Sequence, residues 1–420
     1  MTATNSNTPM KKRSVKAAFQ FVRLIPFYVM ATVLLVIMLW LIPFSYREIL
    51  PSSILPEKTA PEKALGYLKN LSVEERNDLL EREKNHFRNE PLDRSSLFNL
   101  GVLYGLNGEI EKSNALALRS ADRSYRDLGA QTAAISLSLS QRNYADALHR
   151  MDGLLRSRPE FAKNFFDLML NTSATPDGLK ETSKLLATSP PWRRAFIAFA
   201  IQHPQQKSLV YGLFTALRDA KVEVSTSELR LFIDQLFTNK DYETAYFVWL
   251  DFLSPAELSK VGLIFDGEFD VATRNLKFGW NLWPVKNSEL KTIPKTNVGT
   301  DLALNLHFSD LKENFPGVSQ YLRLDPGSYL FKGEVKTEQL KTPEGINWRI
   351  VCVEASTQIA AGPKLVENTP WKSFEVQFSI PAENCSTQLL YLNWETDAAL
   401  DHMIDGTINY DNFQINKTSE

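Results

Sequence analysis

Five tryptophans lie after residue 262: Trp280, Trp283, Trp348, Trp371 and Trp394. A flat indole buries apolar surface against any planar ligand face rich in C–H groups, a sugar ring among them. The competing use is a place in a core. Trp371 and Trp394 lie in alternating stretches and are expected there. Trp280 and Trp283 fall in the irregular segment FGWNLWPV and are the stacking candidates, with Trp348 as a third. The same region carries Glu334, Glu354, Glu375 and Glu395 in or near expected strands. A glycosidase needs two carboxyl groups at a set separation. Nothing in the sequence brings two of these to one cleft, so no catalysis is expected, and the alternatives are a hydrolase or lyase acting on glycans or a purely structural scaffold. Phosphate-loop, G-x-G-x-x-G, H-E-x-x-H and G-x-S-x-G patterns are all missing. The five histidines are scattered, and two cysteines cannot form a four-cysteine zinc site.

Those two cysteines, Cys352 and Cys385, flank the expected strand at 372–380. In an oxidising compartment they would form a disulfide, and otherwise two buried thiols. The elements that position all these groups follow from periodicity. After Leu258 the helical period stops and short alternating stretches begin. They cover 263–269, 302–309, 321–324, 329–336, 347–354, 372–380, 388–394 and 407–415, with Asp325-Pro326-Gly327-Ser328 as a turn. Eight strands without intervening helices predict a β-sandwich jelly roll over 262–418.

Before it, residues 62–260 show apolar residues at three- and four-residue spacing, which predicts helices. Leu97, Leu100, Gly101 and Tyr104 fit one helix–turn–helix unit, and Tyr144, Ala147 and Pro159 fit the next in a 34-residue frame. Pro91 and Pro159 are two such periods apart. The set Leu229, Phe232, Leu236, Tyr242 and Ala245 restores the pattern later. This resembles the tetratricopeptide family and implies an α-solenoid of degenerate repeats that recruits a protein partner.

The jelly-roll region also carries a resemblance. Phe265-Asp266-Gly267-Glu268-Phe269-Asp270 opens it, Tyr329-Leu330-Phe331-Lys332-Gly333-Glu334-Val335 lies in its middle, and Tyr410-Asp411-Asn412-Phe413-Gln414-Ile415 closes it. This order is similar to the galactose-binding-like jelly rolls of carbohydrate-binding modules. The resemblance implies a non-catalytic glycan-binding domain. It also implies a structural Ca2+ as an option, with Glu268, Asp270 and Asp411 as the positions available to hold it. Combined, the two regions resemble accessory proteins of bacterial exopolysaccharide assembly and export.

Charge and hydropathy add a location. The 420 residues hold 47 basic and 49 acidic side chains, a net charge of −2. That balance argues against a nucleic-acid binder. Residues 1–47 carry six basic residues and no acidic ones, whereas 262–420 carry 14 basic and 21 acidic. Ile25–Phe44 is a run of 20 uncharged residues, long enough to cross a hydrocarbon core. No small-residue cleavage site follows, so a retained anchor is expected rather than a signal peptide. The basic residues before it predict a cytoplasmic N-terminus. The sequence-based expectation is thus an α+β multidomain protein, single-pass in the inner membrane. Its parts are an N-tail and anchor (1–47), a Pro-rich linker (48–61), helical repeats (62–260) and a periplasmic sandwich (262–418).

Overall fold

A computed structural model describes residues 68–93, 95–295, 301–315, 317–394 and 403–418. The run 25–44 and the linker 48–61 lie outside the described residues. Among those described, no helix is long and apolar enough to cross a membrane. The longest, Val73–Asn89, has 17 residues and is charged along most of its length, so it would span only about 25 Å. The single-pass inner-membrane localisation is withdrawn on this finding.

The chain divides into two compact units, Met1–Phe196 and Ile197–Glu420. In the first, α1 (Val73–Asn89), α2 (Ser96–Leu106), α3 (Ile110–Arg123), α4 (Leu128–Ser140), α5 (Tyr144–Ser157), α6 (Ala162–Ser173) and α7 (Pro176–Ala187) follow one another through short turns. α8 (Arg193–Ile201) begins in it. Sequential helices pack on each other. Their starts are set by side chains that accept orphan amide N–H groups: Ser72 with a capping box to Glu75, Asp127, Asn143, and Thr175 before Pro176. Gly101 permits the α2–α3 approach, because a Cβ there would lie 3.3 Å from the Ser113 carbonyl oxygen. Ala147 is fully buried in α5. Pro159 opens a 3-10 turn before α6.

The second unit joins α9 (Lys207–Asp219), α10 (Thr226–Thr238), α11 (Tyr242–Asp251) and α12 (Pro255–Leu258) to ten strands. These are β1 (Asn281–Leu282), β2 (Ser288–Pro294), β3 (Leu302–Leu311), β4 (Val318–Leu322), β5 (Gly327–Lys341), β6 (Asn347–Cys352), β7 (Thr357–Ala361), β8 (Thr369–Ile380), β9 (Gln388–Asn393) and β10 (Ile404–Lys417). The sheets run β1-β4-β9-β6-β7 and β2-β3-β10-β5-β8. The pairs β3·β10, β4·β9, β5·β8 and β6·β7 are nested and antiparallel, as in a long hairpin rolled into two layers. This is the jelly roll expected from the strand series. One core fills it, including Trp280, Phe308, Phe331, Trp348, Leu392, Trp394, Tyr410 and Phe413.

Four strand expectations change: one expected strand is missing and three unexpected ones are present. The stretch 263–269 forms no strand. Ile264 and Phe265 are buried, but the Phe265 amide N–H donates to the Gln320 side chain (2.9 Å) and its carbonyl accepts from it (3.0 Å). A side chain there does what a neighbouring strand would do. The strands β2 and β7, and the short β1, were not expected. They are edge or near-edge elements of mixed burial, which blurs their alternation.

Candidate functional site

Alternation assigns each side chain of the β1-β4-β9-β6-β7 sheet to a face. In β6, Trp348, Ile350 and Cys352 are buried in the core, so Asn347, Arg349 and Val351 take the other phase, where Arg349 and Val351 are part-exposed and Asn347 is buried. In β9, Gln388, Leu390 and Leu392 face inward, so Leu389, Tyr391 and Asn393 take the other phase, where Leu389 and Tyr391 are part-exposed and Asn393 is buried. In β4, Val318, Gln320 and Leu322 face inward, leaving Ser319 and Tyr321 outside.

Register then lines these residues up. Ser319, Tyr391, Arg349 and Ala361 form one row across four strands. Asn347 sits opposite Asn393 in the next row, and the Asn347 amide donates to the Gly362 carbonyl (3.1 Å). Tyr321, Leu389 and Val351 form the row on the other side. Directly opposed residues have Cβ atoms about 5 Å apart, so the Tyr391 ring and the Arg349 guanidinium share one patch.

Trp283 continues this face beyond β1. Its amide N–H donates to the Gly317 carbonyl (2.7 Å), just before β4. It is 46% exposed. The Arg230 guanidinium of α10 lies 5.4 Å from the centre of its ring. Arg230 is held by the carbonyl oxygens of Arg274 (2.7 Å) and Asn275 (3.1 Å). One indole face is thereby covered by a fixed cation.

The other expected tryptophans are corrected. Trp280 and Trp348 are each 3% exposed. Trp280 donates its ring N–H to the Asp266 carbonyl (2.9 Å) and packs on Phe269, while Trp348 packs on Phe413 and Tyr410. Neither offers a face to a ligand. Trp394 is in the core as expected. Trp371, expected there too, is half-buried on the other sheet, with Lys295 5.0 Å from its ring centre.

Of the four strand carboxylates, Glu334 and Glu354 are engaged. Lys295 bridges Glu334 (2.8 Å) and Asp411 (2.6 Å), and Asn412 donates to Glu334 (2.9 Å). The Lys295 and Asn412 bonds hold Glu334 below the usual carboxylate range. Asp411 is fully buried, and that burial pushes its carboxyl up against the opposing pull of Lys295. Glu354 accepts from the Ser386 hydroxyl (2.5 Å). Glu375 is exposed on β8, and Glu395 lies outside the described residues. Of the positions expected for Ca2+, Glu268 and Asp270 both bind the Lys260 ammonium (2.8 and 2.7 Å), whereas Asp411 is held by Lys295. The three do not meet as a ligand set. Among the described residues no group of three or more His, Cys, Asp or Glu could hold a metal ion. Cys352 and Cys385 are joined in a disulfide.

Tyr391 and Arg349 are the residues of this face that sequence reasoning missed. The signal was available in NWRIVC, where Trp348, Ile350 and Cys352 mark the inward phase.

No family model matches the chain, and no curated protein matches it. Solved structures similar to the sandwich include a protein described as CBM4, 15% identical, over 37% of this chain and 99% of that one, with a TM-score of 0.28. The CBM22-1 xylan-binding domain from Paenibacillus barcinonensis is 19% identical over 34% of this chain and 87% of that one, with a TM-score of 0.25. TmCBM61, solved in complex with β-1,4-galactotriose, is 17% identical over 34% and 91%, with a TM-score of 0.24.

Proposed function

We propose that the sandwich is a non-catalytic glycan-binding module whose ligand lies across the outward face of the β1-β4-β9-β6-β7 sheet. The observation that carries this reading is the make-up of that face. Trp283 and Tyr391 supply flat apolar surface for the C–H faces of sugar rings. Arg349, part-exposed beside Tyr391, adds a planar group whose N–H donors match neighbouring hydroxyls. Both kinds sit on strands or beside a fixed cation, so the constellation is pre-ordered. The helical unit is proposed as a scaffold for a protein partner, by analogy with helical-repeat folds. The sequence resemblance to exopolysaccharide accessory proteins makes bacterial exopolysaccharides the first ligands to try.

A second reading has its own support. Phe237 of α10 packs on Tyr321 (4.7 Å), and Trp249 of α11 packs on Phe265 (5.2 Å). The sandwich would then be a rigid cap for these helices, with no ligand.

Affinity electrophoresis of the full chain through gels containing neutral and acidic polysaccharides separates the readings. Retardation in at least one gel is expected, lost in Trp283→Ala and Tyr391→Ala while their thermal midpoints stay near wild type. Unretarded migration in every gel would leave the cap reading.

A further inference from the structure

We propose that the Lys295 amine and the Asp411 carboxyl of the sandwich condense into an intramolecular amide, with Glu334 carrying the proton. The cross-link is a modification of the chain by its own fold and does not depend on any ligand. It comes from how one buried cluster on the β2-β3-β10-β5-β8 sheet is built.

Lys295 follows β2, Glu334 lies on β5 and Asp411 on β10. Glu334 and Asp411 stand directly opposite each other in the β5·β10 ladder. The register shifts after Asp411, where Asn412 takes a φ of 54°. A bulge of this kind re-aims side chains. Here Asp411 contacts Lys295, while Asn412 donates to Glu334 (2.9 Å). The Asp411 side chain is 0% exposed and that of Lys295 14%. Other close Lys–Asp pairs, such as Lys207–Asp241, Lys260–Asp270 and Lys277–Asp234, keep carboxyls 23–46% exposed. Burying an ion pair strips water from both partners, and an amide removes both charges. Trp371 covers the site, with the Lys295 nitrogen 5.0 Å from its ring centre.

The atoms are placed for addition. The Lys295 nitrogen lies 2.6 Å from Asp411 Oδ2, and no hydrogen bond is aligned on that oxygen. The Asp411 Cγ is one C–O bond, about 1.2 Å, beyond it, so nitrogen and carbon are within about 3.8 Å. Reaction-ready pairs stand about 3–3.5 Å apart. Oδ1 accepts the Asn412 backbone N–H (2.7 Å), a donor set to hold the charge that builds there as nitrogen adds. Burial favours the neutral, electrophilic carboxyl at Asp411. Burial also opposes the Lys295 charge, but the bonds to Asp411 and Glu334 outweigh it, so the nitrogen starts as ammonium. Glu334, held ionised by Lys295 and Asn412, takes one ammonium proton. The freed amine lone pair forms the bond to Cγ. The Cγ–Oδ2 bond then breaks, and a second nitrogen proton leaves with the Oδ2 hydroxyl as water. Glu334, 34% exposed, returns its proton to solvent. No oxidant or other reactant is consumed. The closed site holds back the water that the reverse hydrolysis needs.

The intact mass of the full chain, reduced and denatured after prolonged incubation in its folded state at neutral pH, tests the proposal. The chain is expected one water lighter than its sequence, and fragmentation should show the peptide holding Lys295 joined to the one holding Asp411. The loss should survive mild alkali, which reopens a cyclised Asp–Gly imide such as one at Asp266-Gly267 or Asp405-Gly406. Lys295→Arg and Glu334→Gln should each show the full mass of their own sequence, and their thermal midpoints should fall together below wild type. The wild-type measurement does not depend on any variant folding. Full sequence mass in the wild-type chain, or a water loss that maps elsewhere, overturns the proposal. Cross-linking of Glu334→Gln as complete and as fast as wild type overturns the part given to Glu334.

Discussion

Breaking the Cys352–Cys385 bridge should cost the second unit about 4 kcal/mol. The two cysteines are 33 positions apart, and the chain between them holds β7 and β8. In the folded state their surroundings are joined anyway, because Cys352 of β6 pairs in register with Gln388 of β9. The bridge therefore acts mainly on the unfolded chain, by closing a loop of about 34 residues. The loop-closure relation gives an entropy loss of about 13 cal/mol/K, or about 4 kcal/mol at 25 °C. For a unit of 150–250 residues, each kcal/mol moves the midpoint by about 2–4 °C, so a fall of about 8–16 °C is expected. Calorimetry of the oxidised full chain against Cys352→Ala, Cys385→Ala and the double variant measures it. Both sulfurs are buried, so each alanine also removes packed volume. The cycle separates the effects. Either single variant should lose the whole bridge, and the double variant only slightly more. Additive losses from the two single variants, with no coupling between them, would refute the argument.

Acid should weaken the first unit through Asp93. Burial raises its pKa, but the Ser95 amide and hydroxyl, His86 and the Ser96 hydroxyl together outweigh this and lower it from 3.8 to about 2. A folded pKa below the unfolded one gives stability that is present above pH 3.8 and lost as pH falls toward 2. The loss is about 2 kcal/mol. Unfolding of wild type and Asp93→Asn across that window should converge at low pH, and parallel curves would contradict the assignment. In the sandwich, Gly333→Ala should destabilise by about 1–3 kcal/mol through overpacking. The added Cβ would lie 2.4 Å from the buried Phe413 ring. A denaturant midpoint unchanged from wild type would show that the ring can move aside.

Much of the fold was legible because its signals are local. Alternation gave the positions of β3, β5, β6, β8, β9 and β10, enough for the pairs β3·β10 and β5·β8, whereas β4·β9 and β6·β7 also need a strand expected three residues late and one not expected at all. The cysteine pair was legible because only two candidates exist and both adjoin expected strands. The failures share a different cause. Phe265 looked like a strand residue because its side chain is apolar and buried, yet its backbone is satisfied by Gln320, 55 positions away. Trp280 and Trp283 share one segment, and no local property separates them. Trp280 turns inward to the Asp266 carbonyl, and Trp283 emerges beside Arg230. In QLLYLN both phases contain apolar residues, so β9 does not reveal by itself that Tyr391 faces out. Neighbouring strands do, once their register is known.

The position of the unit boundary bears directly on the proposed site. Helical periodicity says that a helix has an apolar face but not which core it faces. The sequence therefore placed the change of domain near residue 260, where helix gives way to strand. The compact second unit instead begins at Ile197, so α9 to α12 belong with the sandwich. The reason is aromatic. Phe237 and Tyr246 pack on Phe278, Phe237 on Tyr321, and Trp249 on Phe265 and Phe278. These contacts cover the Tyr321 edge of the same sheet face whose neighbouring rows carry Tyr391, Arg349, Asn347 and Asn393. They also anchor α10, the helix that supplies Arg230 to Trp283. A sandwich cut free at residue 262 would expose Phe265, Phe278 and Tyr321 and would lose the cation that orients the exposed indole. The helices thus do for the candidate face what a second layer of side chains does for a metal site: they fix the Trp283 indole and the Tyr321 edge in place.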